Sequence, residues 1–150
     1  MHRILTLALA TGFAMAADVT VGTATLTIPP DWTSHLNEGT LTLISPLHTP
    51  HIQVRIAAGE VATTKDTVSV LIADQVKNFV PDKTEEVTLG ANHGVRLTGT
   101  GVEADDGDPA NAEVTILRAG TTTVLVISHG EGKGTEERSP ALANILATLH

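Results

Sequence analysis

The stretch His51–Pro81, HIQVRIAAGEVATTKDTVSVLIADQVKNFVP, changes its period part-way along, and that change decides the fold class. Ile52, Val54 and Ile56 alternate with His51, Gln53 and Arg55, the period of a strand with one buried face and one wet one. Further on, the apolar residues fall at Val68, Leu71, Ile72, Val76, Phe79 and Val80, which is the spacing of one helix face. Thr63 or Thr64 is a suitable N-cap and Pro81 a stop, so the spacing predicts a helix over 65–80.

Upstream, Val19 to Ile28 is rich in threonine and β-branched residues and predicts a first strand. Its phase slips near Gly22, from Val19 and Val21 to Ala24, Leu26 and Ile28, as a bulge would cause. Pro29 and Pro30 end it, since neither nitrogen can donate to a ladder. Thr40 to Ile44 predicts a second strand, closed by Ser45-Pro46. Downstream, Glu86 to Ala91 and Val95 to Gly101 read as strands around a tight turn at Asn92-His93-Gly94. The acidic loop Glu103 to Asp108 leads into Ala112 to Arg118, and Ala119-Gly120 turns the chain into Thr123 to Ser128. Within that last segment Val124-Leu125-Val126-Ile127 is apolar on both faces, which predicts a central strand. Ser139 caps a closing helix with Pro140 at its first position and Leu142, Ile145, Leu146 and Leu149 as its stripe. The order is strand, strand, strand, helix, four strands, helix. With short connections it predicts a single α+β domain, a mostly antiparallel sheet of six or seven strands packed with two amphipathic helices. Leu71, Ile72, Val76, Phe79, Val124, Val126, Leu142, Ile145 and Leu146 are expected to be buried.

The N-terminus adds a compartment. Met1-His2-Arg3 is a short basic start, Ile4 to Phe13 an apolar run, and Ala14-Met15-Ala16 a small-x-small site, the three parts of a cleavable secretory signal. A membrane helix needs about 20 apolar residues, and this run is shorter. Residues 1–16 are therefore expected to be removed, leaving the domain 17–150 in the periplasm or secreted, and not inserted in a membrane. That leaves 8 basic against 17 acidic residues, net −9, a charge that repels nucleic acid and anionic lipid headgroups. With no cysteine there is no disulfide, thiol chemistry or lipid anchor, so stability rests on the core.

The layout resembles the PsbP-like fold family. Its members include the extrinsic oxygen-evolving subunit of photosystem II, a Ran-binding nuclear import factor and the DcrB-like envelope proteins of bacteria. The opening Leu26-Thr27-Ile28-Pro29-Pro30-Asp31-Trp32 is similar to the family's strand, proline and tryptophan pattern. Leu41 to Pro46, Ile52 to Ile56 ahead of a helix, and the turn from Gly90 to Leu97 follow the same plan. So do Gly120 to Ile127 and the Leu142 to Leu149 helix. The resemblance implies a module that binds partners or assists assembly, with no shared catalytic set. The chain departs from the family in having no tyrosine, only Phe13, Phe79 and Trp32 as aromatics, and no anchoring cysteine.

Four constellations invite a site. Glu103-Ala104-Asp105-Asp106-Gly107-Asp108 offers oxygen ligands for a hard cation. Glu113 is not at the spacing of a full calcium loop, so Asp105, Asp106 and Asp108 read better as a solvated hairpin tip. His48 and His51 form a pair that zinc or copper could use with His35, His93 or His129, although Pro50 disfavours the helix that would align them. Gly130 to Thr135 lacks the Lys-Ser/Thr dipeptide of a phosphate loop and the third glycine of a dinucleotide motif. Ser128 and His129 are adjacent on a strand and point to opposite faces, so they make no nucleophile–base pair. Trp32 reads as a lid on the core rather than a binding anchor. No catalytic residue, cofactor or firm metal site is expected. The sequence reads as a non-enzymatic binding or assembly module of the envelope with an unknown protein partner. The alternative is an envelope protein that binds a metal or small ligand.

Overall fold

Val124 to Ile127 does occupy the centre of the sheet, and the rest of the molecule is arranged around it. The computed structural model of the chain describes residues 15–47, 51–130 and 139–150. Among these are nine strands: β1 (Ala17–Val21), β2 (Ala24–Ile28), β3 (Thr33–Asn37), β4 (Thr40–Ile44), β5 (His51–Ala57), β6 (Val76–Leu89), β7 (Asn92–Glu103), β8 (Pro109–Ala119) and β9 (Thr122–Gly130). Three helices join them: α1 (Val61–Asp66) and α2 (Val68–Leu71) between β5 and β6, and α3 (Ser139–Leu146) after β9. Seven strands form one antiparallel sheet in the order β3-β4-β5-β9-β8-β7-β6, and β1 and β2 pair as a separate two-stranded sheet. This is an α+β fold.

The alternation along β9 sorts its side chains between two cores. Val124 and Val126 face the β1–β2 hairpin and α3, where they meet Leu26, Leu41, Val54, Ile145 and Leu146. Leu125 and Ile127 face α2 and the start of β6, with Val68, Ile72, Val76, Phe79 and Val114. The sheet is thus the middle of three layers, and a strand covered on both sides must be apolar on both. Trp32 packs half-buried against the first core, as a lid does.

Several sequence expectations are corrected. The phase slip at Gly22 is a hairpin turn rather than a bulge. Val21 pairs with Ala24, and Gly22 has φ +58°, a conformation that suits glycine. Thr33–Asn37 is an additional edge strand, unread because its Thr-Ser-His-Leu-Asn sequence has no apolar alternation. The helix expected over 65–80 stops at Leu71, and Val76, Phe79 and Val80 belong to β6. Its residues are poor helix formers: Val61, Thr63, Thr64, Thr67, Val68 and Val70 are all β-branched. The hydroxyls of Thr64 and Thr67 also bond back to Glu60 O and Thr63 O, a contact that weakens helices. Val76 and Phe79 are buried all the same, from a bulged edge strand that tolerates Pro81, whereas Leu71 is 39% exposed. Lastly, the turn between β6 and β7 is Gly90-Ala91, with Leu89 opposite Asn92, so Asn92, His93 and Gly94 lie in the ladder. In β5, Ile52 and Val54 are buried as expected, but Ile56 is 38% exposed.

Candidate functional site

Segments singled out in the sequence meet at one end of the sheet. His51 opens β5 and stands opposite His129, near the end of β9. Their rings stack with centroids 5.4 Å apart and planes 26° from parallel. His129 is buried, and its Nδ1 lies 2.8 Å from a carboxylate oxygen of Glu103. Its Nε2 lies 3.2 Å from the side-chain oxygen of Gln75. Glu103 ends β7, Gln75 follows α2, and the amide of Ala104 donates to the Gln75 carbonyl at 3.0 Å. The approach of Glu103 to Nδ1 is close but lacks hydrogen-bond geometry, so the contact with Gln75 at Nε2 is what orients the ring. With oxygens facing both nitrogens, the arrangement fastens β7, β9 and the α2–β6 connection together. Both ring nitrogens already have protein neighbours, so neither is directed at a vacant substrate position.

The acidic loop divides in two. Glu103 is buried against His129 rather than standing in the solvated tip. Asp105, Asp106 and Asp108 are exposed, and the loop closes on itself. Within it, the Glu103 amide donates to Asp108 O, the Gly107 amide to Glu103 O, and the Asp108 amide to Asp106 Oδ1. His48 lies outside the described residues, as does the glycine-rich stretch beyond Gly130. The other histidines are scattered. His35 is exposed on the edge strand β3, and His93 Nδ1 lies 3.0 Å from the Thr88 hydroxyl beside the β6–β7 turn. Among the described residues no three histidine or acidic side chains are placed to hold a metal ion. Beside the cluster, Arg55 grips Asp74 with both terminal nitrogens and also donates to Leu71 O and to the Gln53 side chain. The Arg55 hydrogen bond holds the Asp74 carboxyl below the usual carboxylate range, against a smaller opposing effect of burial.

The opposite end of β9 carries a feature that sequence reasoning missed. An open cleft of about 300 Å³ lies between the β1–β2 turn, the β5–α1 connection and the β8–β9 turn, lined in part by Thr23, Ile56, Glu60, Arg118 and Thr122. Arg118 and Thr123 are cross-strand partners. Arg118 Nη1 donates to the Thr123 hydroxyl at 2.9 Å, and that hydroxyl donates to Gly59 O at 2.7 Å. The one sequence signal was an arginine and a threonine run flanking a two-residue turn, which no motif describes.

No family model matches the sequence, and no curated protein matches it. Solved structures do. The cyanobacterial PsbP (CyanoP) of Synechocystis sp. PCC 6803 aligns over 94% of this chain and 95% of its own, with a TM-score of 0.62 at 8% identity. The fold is PsbP-like. The same PsbP-like plan is seen in the Saccharomyces cerevisiae Ran-binding protein Mog1p, over 90% of this chain and 94% of that one, at TM-score 0.52 and 11% identity. A Bacteroides thetaiotaomicron VPI-5482 protein matches 85% of this chain at TM-score 0.54 and 16% identity, but this chain spans only 44% of its length. At such identities the likeness is one of PsbP-like fold, not of residue roles.

Proposed function

We propose that this chain is an exported, non-enzymatic binding or assembly module of the cell envelope. The observation that carries the reading is the PsbP-like fold along nearly the whole chain, a fold shared with Mog1p, a Ran-binding protein. Two further features support it. Met1 to Ala16 has the make-up of an export signal, and Ala17, the residue after its cleavage site, is the first residue of β1. No helix among the described residues is long and apolar enough to cross a membrane. A surface for a partner is available where Val70 and Val80 stand 79% and 64% exposed. They flank the hydrogen bond from the Ser69 hydroxyl to Phe79 O that ties α2 to β6.

The test expresses the full chain in a bacterium, fractionates the cells and sequences the N-terminus of the envelope form. In-cell crosslinking of the wild type and of the double variant Val70→Glu, Val80→Glu follows. The reading expects a mature chain starting at Ala17 and one stoichiometric crosslink that the double variant loses. An uncleaved chain retained in the cytoplasm, or crosslinks identical in both forms, would refute it.

A further inference from the structure

We propose that the cleft at Arg118 binds a small monocarboxylate with a short aliphatic stem, the carboxylate on the guanidinium. The inference is independent of any protein partner. It begins with pre-organisation. Thr123 is 1% exposed, and its hydroxyl accepts from Arg118 while donating to Gly59 O, so the arginine is held from beneath by a fixed group. The contacts of Arg118 with described residues, to Thr123 at 2.9 Å and to Glu60 at 3.7 Å, both use Nη1. Its remaining donors stay available in the fork that matches a carboxylate.

Thr23 and Thr122 share one hydrogen bond between their hydroxyls. Such a bond uses one proton of two, so the second remains to donate to an anion at the same mouth. Ile56 supplies an apolar wall, and its partial exposure leaves surface that a short aliphatic chain would cover.

The lining also narrows the class. Arg118 is the only cation among the lining residues, so a polyphosphate would lack counter-charges. None of the lining residues is aromatic, so a sugar or base would have no face to stack on. The volume sits at the low end of the roughly 300–1,000 Å³ of ligand sites, which suits a few carbon atoms. Glu60 is the one carboxylate in the lining and stands 75% exposed, where it competes for Arg118 and can swing aside.

The test is titration calorimetry on the full chain in carboxylate-free buffer, with butyrate as probe and butyramide and inorganic phosphate as comparisons. Saturable butyrate binding is expected with a Kd on the order of 1 mM, reasonable for so few atoms. Arg118→Met should weaken it by about tenfold or more, the loss expected for a charged hydrogen-bond pair. Butyramide should show no saturation. Glu60→Gln alters an exposed residue without risk to folding and should tighten butyrate several-fold. The proposal is overturned by butyrate that does not saturate, by phosphate binding tighter than butyrate, or by Glu60→Gln binding more weakly than wild type. A folded Arg118→Met that binds butyrate like wild type would also overturn it.

Discussion

Asn92→Ala should cost this protein about 2 kcal/mol, although residue 92 lies on a strand directly after a two-residue hairpin turn. The side chain is 3% exposed and points at the end of α3. Its amide nitrogen donates to Leu149 O at 3.0 Å and, at a long 3.4 Å, to Leu146 O. Leu149 O lies just beyond α3, and a neighbouring strand supplies its side-chain donor. Leu146 O also accepts from the Leu149 amide, so truncation chiefly orphans Leu149 O. A buried group left unpaired costs about 1–3 kcal/mol, and the longer bond adds a fraction. Asn92→Asp should be worse than alanine, because it turns an acceptor and a negative charge toward carbonyls at the negative end of a helix. Urea unfolding at 25 °C followed by circular dichroism measures both. The midpoint should fall at constant slope, and for this size melting should drop by about 6–10 °C. An alanine variant within about 0.5 kcal/mol of wild type, or an aspartate variant no worse than alanine, would refute this account of α3.

Gly90→Ala should destabilise by more than about 1 kcal/mol in the same assay, since φ there is +61° and a Cβ would strike the Ala147 carbonyl beyond α3. Glu103→Ala should cost about 1 kcal/mol, since the carboxylate lies 2.8 Å from the buried His129 Nδ1 without hydrogen-bonding it, with the His129 ring resonances shifting in NMR spectra. Asp74→Asn tests the Arg55 pair through pH. The folded carboxyl ionises below its unfolded value of about 3.9, so its stabilisation is present above that value and lost as pH falls through the folded one. Asp74 is more than half exposed, so the variant should lose under about 1 kcal/mol at pH 7, with the gap closing only below about pH 4.

The sequence made legible those elements whose period admits one reading. Val124 to Ile127 is apolar at consecutive positions and forms the central strand, and Leu142, Ile145 and Leu146 lie on a helix, although α3 ends at Leu146 and Leu149 packs into the core from just beyond it. Val76 and Phe79 satisfy two periods at once. Bulges in β6 let both residues reach the core from a strand, and three-residue spacing on such a strand imitates a helix. Gly22 produced a real phase slip, but a bulge and a hairpin shift phase alike; the packing of the hairpin as a separate layer decides between them. The site was harder still. His129 was visible as a histidine, yet Gln75, which faces it, is 54 residues away, and no spacing rule joins them. Arg118 and Thr123 become neighbours only once the turn at Gly120-Thr121 sets the register.

The two outer layers are unequal, and that asymmetry gives the molecule a direction in which to breathe. One face of the sheet is roofed by a hairpin contributing Val21, Ala24, Leu26 and Ile28 and a helical segment contributing Leu142, Ile145, Leu146 and Leu149. On the other face, α1 and α2 bury only Val68, Thr64 and, just past the helix end, Ile72. Local opening free energies follow buried contact, so the α1–α2 layer should lift at a fraction of the global cost, hinged where Arg55 and Ser69 hold it to the sheet. Amide hydrogens there would exchange through that partial opening, while those of β9, covered on both sides, would exchange only when the whole domain unfolds. Each such excursion uncovers Leu125 and Ile127 and brings water toward His129, so the light side of the sheet is where a transiently opened molecule first presents apolar surface.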